Sequence, residues 1–167
     1  MSMSTISKLL TAAVAAITVT AMTAGIRAQP AAPKFLKASP TAPKSVQAGK
    51  PFTITVAVTI DSPYHIQGNP SKDGYIATEM EVGPLKGFKI DRVTYPKPME
   101  TSVSGERLPV YEGKVGIKAE VTPDKSVKPG KYTLPITLKY QGCDRDKCFP
   151  PTTLSSKATV TVTAGAR

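Results

Sequence analysis

The sequence predicts an all-β fold, and three observations support that prediction. Along several segments, apolar residues alternate with small or polar residues, which is the period of a strand with one buried face. Downstream of the apolar N-terminal run, no helical period is present to supply another kind of layer. The chain also has 16 prolines and 12 glycines but only four phenylalanines and no tryptophan, a composition that suits short strands joined by turns.

Four strands are marked by strict alternation. Between Phe52 and Ile60, every even-numbered residue is apolar and every odd-numbered residue is small or hydroxylated. The same alternation predicts strands at Val115–Val121, Tyr132–Tyr140 and Ala158–Val162. Weaker candidates lie at Phe35–Ala38, Tyr64–Gln67, Ile76–Val82 and Phe88–Val93. Since each strand has one apolar face, a second sheet must cover that face, and the predicted architecture is a β-sandwich.

The N-terminal segment Met1–Ala28 has the layout of a secretory signal peptide. It carries Lys8, then an apolar run over Leu9–Ala24, then small residues before Gln29. The run is shorter than the ~20 residues that a membrane-spanning helix needs. We therefore expect export with cleavage after Ala28, in preference to retention as an N-terminal anchor. No second apolar segment follows, so no integral membrane segment is expected after cleavage.

Beyond the signal peptide, we expect a Pro-, Ala- and Lys-rich lead-in with the first strand over residues 29–50, and one folded domain over residues 51–167. The whole chain has a net charge of +10, and removal of Lys8 and Arg27 with the signal peptide leaves +8. The lysines are spread singly, without a basic run or a basic motif interleaved with aromatics. We therefore expect no nucleic-acid partner.

Cys143 and Cys148 are the only cysteines, and they lie between two predicted strands. An even cysteine count in an exported protein indicates a disulfide. In the chain-entropy model, a bridge that closes such a small loop contributes only about 2 kcal/mol, against almost 5 kcal/mol for a loop of about 100 residues. The bridge is therefore a weak structural staple, and the residues alone leave a structural and an exchanging disulfide equally open.

The charges around the cysteines do not decide between these alternatives. Arg145 and Lys147 favour a thiolate, whereas Asp144 and Asp146 oppose it. Side-chain parity continued from the preceding strand points Cys143 away from the core, so we expect an accessible cysteine unless the chain bulges before it.

Other sites have little support in the sequence. His65 is the single histidine and has no acidic partner at motif spacing, so we expect a packed or surface side chain. The sequence has no ligand spacing typical of a zinc site. It also has no motif that supports binding of copper(I) by the cysteines with Met80 or Met99. Glu79 and Glu81 share one strand face and are expected to form a solvated edge. We expect no metal and no cofactor.

The cysteine segment resembles a known family. The run Tyr-Gln-Gly-Cys at 140–143, four further residues and Cys-Phe-Pro-Pro at 148–151 are similar to the signature of the N-terminal periplasmic domain of the thiol:disulfide interchange protein DsbD. The resemblance extends from near Pro51 to Val162. Further similar segments are Tyr64–Pro70, Ala77–Val82, Gly105–Glu106 and Val110–Gly113.

The resemblance implies an immunoglobulin-like fold in the periplasm and a redox function for Cys143 and Cys148. In this family, the cysteine pair accepts electrons and passes them to oxidised periplasmic thioredoxin-fold proteins. Carried over by position, Cys148 pairs with the client and Cys143 is its internal partner. The family's membrane and thioredoxin-like domains do not occur in this sequence, so a separate thiol electron donor is expected. The predicted function is thiol–disulfide interchange, and the alternative is a non-catalytic binding or adaptor domain with a structural disulfide.

One segment departs from the family pattern. Well-studied members shield the disulfide with a cap loop that bears adjacent aromatic residues. The corresponding segment here, Met99–Gly105, has no aromatic residue. Whether the disulfide is shielded therefore stays open on the sequence.

Overall fold

The computed structural model describes residues 34–165, and the predicted signal peptide lies outside this range. The described residues form twelve strands and no helix, so they include no helix that is long and apolar enough to cross a membrane. The strands are β1 Leu36–Thr41, β2 Ser45–Gln47, β3 Phe52–Ile60, β4 His65–Gln67, β5 Glu79–Val82, β6 Phe88–Thr94, β7 Met99–Val103, β8 Glu106–Tyr111, β9 Lys114–Pro123, β10 Gly130–Tyr140, β11 Gly142–Cys143 and β12 Thr152–Thr163.

Two four-stranded sheets form the sandwich. The first has the order β1-β3-β9-β6 and the second the order β2-β12-β10-β5, and only the β2–β12 pair is parallel. Their inward residues form one buried cluster, which includes Ile54, Val56, Ile117, Leu134, Ile136 and Val160. The predicted all-β, immunoglobulin-like β-sandwich is therefore confirmed.

The strongly alternating segments are strands as predicted. β3 begins and ends where the alternation does, with each apolar residue buried. β9, β10 and β12 contain the predicted segments and extend beyond them. The first strand is also present, within the region expected to be the lead-in, and it pairs with β3 from Leu36 opposite Ile60 to Thr41 opposite Thr55.

A third sheet, in the order β11-β4-β8-β7, was not predicted as a unit. Its strands β7 and β8 form a hairpin with Val103 opposite Glu106. The two residues between them, Ser104 and Gly105, both have positive φ, at 51° and 85°. Positive φ at both central residues characterises the type I′ turn, whose twist matches that of a hairpin. This sheet holds the cysteines.

Candidate redox site

The two cysteines form a disulfide in the connection between β10 and β12. The Sγ atoms are 1.96 Å apart and the Cα atoms 3.9 Å apart. Cys143 ends β11, and Cys148 lies opposite it as an isolated bridge across the loop. The expected disulfide is thus present, and it spans the link between two paired strands.

The loop between the cysteines is held by hydrogen bonds of its own. The Asp144 carboxylate accepts from the backbone N–H groups of Asp146 and Lys147, both at 2.9 Å. The Asp144 N–H donates to the Lys147 carbonyl at 2.9 Å, and the Phe149 N–H donates to the Gly142 carbonyl at 2.7 Å. The two bonds to its carboxylate lower the pKa of Asp144 below its usual value. The loop therefore has a defined conformation that does not depend on the bridge alone.

Opposing charges surround the loop, as the sequence indicates. Arg145, Asp146 and Lys147 are exposed. The Lys147 ammonium lies 5.9 Å from the centroid of the Phe149 ring, within the range of a cation–π contact. The Arg145 carbonyl accepts from the Ser104 N–H at 3.0 Å, which ties the loop to the β7–β8 turn.

The glycine of the Tyr-Gln-Gly-Cys motif is required by packing. A Cβ atom at Gly142 would lie 2.1 Å from Cζ of Phe35. The Phe35 ring is buried and stacks on Tyr64 with a centroid distance of 4.5 Å. Phe35 thus packs directly on the backbone that carries Cys143, a contact that the sequence pattern did not indicate.

The two cysteine residues differ in burial. Cys143 is 0% exposed and belongs to a small apolar cluster with Val103, Leu108 and Val110, against which the partly buried Cys148 packs. The prediction of an accessible Cys143 is wrong, since the residue is buried in this small cluster, although it lies outside the main core. The parity of β10 does not continue past Tyr140, because Gly142 and Cys143 pair with β4 in the third sheet.

The segment Met99–Gly105, which has no aromatic residue, contributes one aliphatic side chain to the cluster around Cys143. It forms β7 and the turn to β8, and Val103 at the end of β7 packs in the cluster of Cys143. Met99 at the start of β7 is 53% exposed. Shielding therefore applies to Cys143, while Cys148 keeps partial access to solvent.

Gln67 is a site residue for which no individual role was predicted. It is fully buried in β4, the strand between β11 and β8. Its Nε2 donates to Cys143 Sγ at 3.3 Å and to Cys148 Sγ at 3.8 Å. Its Oε1 is buried and has no partner among the described residues. The one sequence feature that could have indicated this role is a polar residue in a strand candidate too short to show which of its faces is polar.

His65 lies opposite Cys143 in the β11–β4 pair. It is a packed side chain, and burial lowers its pKa against the opposing influence of Glu112 and Asp144. Its Nε2 has no partner among residues 34–165. A pocket of about 420 Å³ lies on this side of the loop, lined among others by Tyr64, His65, Thr101, Ser102, Glu112 and Arg145.

The other candidate sites, a metal site and the pair Glu79 and Glu81, lie apart from the disulfide or find no ligand set within residues 34–165. Within the part of the chain that the structure describes, no group of three or more His, Cys, Asp or Glu side chains is placed to hold a metal. Glu79 and Glu81 lie on the exposed face of β5, an edge strand, and Glu79 has Lys139 at 4.0 Å. They form the solvated edge that the sequence indicated.

Comparison with known proteins gives one family and several folds. The family model for "Thiol:disulfide interchange protein DsbD, N-terminal" matches residues 32–159. The N-terminal periplasmic domain of ScsB from Proteus mirabilis has a TM-score of 0.52 at 15% identity, covering 73% of this chain and 44% of that chain. This chain thus spans less than half of that ScsB chain.

Two further structures have lower scores. The DsbD N-terminal domain of Neisseria meningitidis, in the reduced form, has a TM-score of 0.43 at 17% identity, covering 65% of this chain and 80% of that chain. A cohesin module from a Clostridium perfringens ATCC13124 family 33 glycoside hydrolase has a TM-score of 0.49 at 14% identity, covering 77% and 98%. No curated protein sequence matches the chain at a significant level.

Proposed function

Since the chain belongs to the family of the N-terminal domain of the thiol:disulfide interchange protein DsbD, we propose that it is a thiol–disulfide interchange module. In this proposal, the Cys143–Cys148 disulfide accepts two electrons from a separate thiol donor and passes them to oxidised partner proteins. The observation that carries the proposal is the unequal burial of the two cysteine residues. Cys143 is enclosed in an apolar cluster, and Cys148 is only partly buried.

The unequal burial supports a proposed role for each cysteine. In the reduced protein, the Cys148 thiolate attacks one sulfur of a client disulfide, which forms a mixed disulfide and releases the other client sulfur as a thiolate. The Cys143 thiolate then attacks Cys148 Sγ, re-forms the internal bridge and releases the second client thiolate. The client gains two electrons and, from solvent, two protons. A donor dithiol restores the reduced pair by the reverse sequence.

The site is suited to open and close without loss of the fold. The main hydrophobic core lies between the first two sheets and does not include either cysteine. Asp144 closes the intervening loop through backbone hydrogen bonds that do not involve sulfur. A bridge in such a place can be broken while the sandwich stays intact.

We place this activity in the periplasm, after removal of a signal peptide over Met1–Ala28. The family is one of periplasmic domains, and the segment has an export layout. The proposed partners are periplasmic thioredoxin-fold proteins. We propose that they dock at the exposed loop between the cysteines, beside the partly accessible Cys148.

A trapping experiment in periplasmic extract tests the assignment. The Cys143→Ala variant retains the attacking thiol but lacks the resolving one, so it should accumulate covalent complexes with oxidised thioredoxin-fold proteins. Cys148→Ala should form none, because its remaining sulfur is buried. Complexes are detected by non-reducing electrophoresis after acid quenching and alkylation. Mass spectrometry of the bands identifies the client and shows whether the mature chain begins at Gln29.

The Cys143→Ala, Cys148→Ala double variant is the control for non-covalent capture. Trapping through Cys143 in place of Cys148 would reverse the assigned roles. Trapping through neither cysteine, with a reduction potential below about −300 mV, would favour the binding or adaptor domain with a structural disulfide.

A further inference from the structure

The side-chain amide of Gln67 lies against both sulfurs of the disulfide. Its Nε2 is 3.3 Å from Cys143 Sγ and 3.8 Å from Cys148 Sγ, and the residue is fully buried. Since disulfide sulfurs carry no hydrogen, they can only accept, and the nitrogen is the amide atom that can pair with them. We propose that Gln67 is a positioning residue that raises the reduction potential of the pair by stabilising Cys143 in its reduced forms.

The position of this amide is fixed by the backbone of β4. The backbone N–H of Gln67 donates to the backbone carbonyl of Gln141 at 3.0 Å, and the backbone carbonyl of Gln67 accepts from the Thr78 hydroxyl. Gln67 also lies opposite Val110 of β8. The strand is thus bonded on both sides, and the amide is delivered to the sulfurs by a rigid segment.

The shorter contact is with the sulfur that most needs a donor. When a thiolate attacks Cys148 Sγ, the bond between Cys148 and Cys143 breaks, and its electron pair stays on Cys143 as a thiolate. Apolar burial raises the pKa of a thiol and disfavours that charge. A hydrogen bond to a charged acceptor is about twice as strong as one to a neutral acceptor. The side-chain N–H of Gln67 therefore stabilises the Cys143 thiolate more than it stabilises the disulfide.

The carbonyl end of the amide acts in the same direction. Gln67 Oε1 is buried and has no partner among the described residues while the cysteines are bridged. A buried acceptor without a donor destabilises the state in which it occurs. Reduction and protonation create an S–H donor on Cys143, and rotation of the amide brings Oε1 to it. Both ends of Gln67 therefore favour the dithiol over the disulfide.

The test compares Gln67→Met with Ile54→Val. Met keeps the length of the Gln side chain but has no N–H donor. Ile54→Val removes one buried carbon from the main core, which includes neither cysteine. The reduction potential is measured by equilibration with glutathione. The pKa of the Cys143 thiol is measured by ultraviolet thiolate absorbance in the Cys148→Ala background.

We expect Gln67→Met to lower the equilibrium constant for reduction about tenfold, which is a potential about 30 mV more negative. The thiolate transition of Cys143 should move to higher pH. Ile54→Val should leave both quantities unchanged. Gln67→Leu, which also lacks the amide, should shift both in the same direction as Gln67→Met, and it provides the readout if Gln67→Met does not fold.

An unchanged potential and an unchanged thiol pKa in a folded Gln67→Met variant would overturn the inference. So would equal shifts in Ile54→Val, because they would reduce the effect to a general loss of packing. The inference rests on the proposed function, but the potential and the pKa are measured with small reagents and without a client. A shifted potential without client trapping would therefore uphold the role of Gln67 and refute the interchange function.

Discussion

Replacing Gly142 by Ala is expected to destabilise the protein by about 3 kcal/mol, the upper end of the usual cost of overpacking a core. The new Cβ would lie 2.1 Å from Phe35 Cζ and about 3 Å from Cε1 and Cε2. Carbon atoms in contact are normally about 3.5 to 4.0 Å apart, so the ring must retreat by more than 1 Å. It cannot do so freely, because it is 2% exposed and stacks on Tyr64 at 4.5 Å, with Tyr140 and Phe149 each at 6.2 Å.

Two other glycines serve as matched controls. A Cβ at Gly116 in β9 would meet only the methyl group of Thr55, at 3.9 Å, so Gly116→Ala should change the free energy of unfolding by less than about 0.5 kcal/mol. At Gly105 a Cβ would meet nothing within 4 Å, but φ is +85°. Gly105→Ala should therefore cost about 1 to 2 kcal/mol through backbone strain alone. The three variants separate steric contact from backbone conformation.

The assay is denaturant unfolding, with the free energy of unfolding and the slope m fitted for each variant. Phe35→Leu completes a double-mutant cycle, in which Gly142→Ala should cost less when the ring is absent. A cost for Gly142→Ala no greater than that of Gly116→Ala would refute the reasoning. An unchanged cost in the Phe35→Leu background would show that the clash lies elsewhere.

Two further predictions concern the bridge and the buried histidine. The Cys143→Ala, Cys148→Ala double variant should remain folded, and its free energy of unfolding in a denaturant melt should fall by no more than about 2 to 3 kcal/mol. The loss is small because the loop is small and the main core excludes both cysteines. Outright unfolding would indicate a structural bridge. Since burial holds the pKa of His65 below its usual 6.5, the unfolded chain takes up a proton first as the pH falls, and the folded state loses stability below about pH 6.5. The difference in free energy of unfolding between the wild-type protein and His65→Gln, measured from pH 7.5 to pH 5, should therefore shift against the wild type, and a constant difference would contradict this.

Strands were predicted correctly from the sequence where apolar and polar residues alternate over a long enough segment. β3 alternates over nine residues, and all five of its apolar side chains are buried. β4 lies within the weaker candidate Tyr64–Gln67, whereas β11 has only two residues, both buried, and offers no alternation from which to infer it. The pairing of these strands depends on residues far apart in the sequence, since Gly142 lies opposite Ile66. The arrangement of the third sheet therefore could not be predicted from local pattern.

The disulfide of the site was predicted from the sequence, but the residues that surround it were not, because their positions depend on strand pairing. Two cysteines at short spacing indicate a bridge without knowledge of the fold. The direction of Cys143, by contrast, depends on the change of sheet after Tyr140, and the donor from Gln67 depends on β4 lying beside β11. A buried Gln in a short strand is a signal only once the strand's neighbours are known.

The short spacing that makes this bridge a weak staple also suits it to exchange. By linkage, the amount by which a bridge stabilises the fold equals the amount by which the fold makes that bridge harder to reduce than in the unfolded chain. About 2 kcal/mol from the loop between Cys143 and Cys148 corresponds to about 45 mV, whereas almost 5 kcal/mol from a loop of about 100 residues corresponds to about 100 mV. The main core includes neither cysteine, so the stabilisation by the bridge that we expect is that of its small loop. The contacts proposed for Gln67 act in the opposite sense, and we therefore expect a potential near that of a small, unconstrained dithiol.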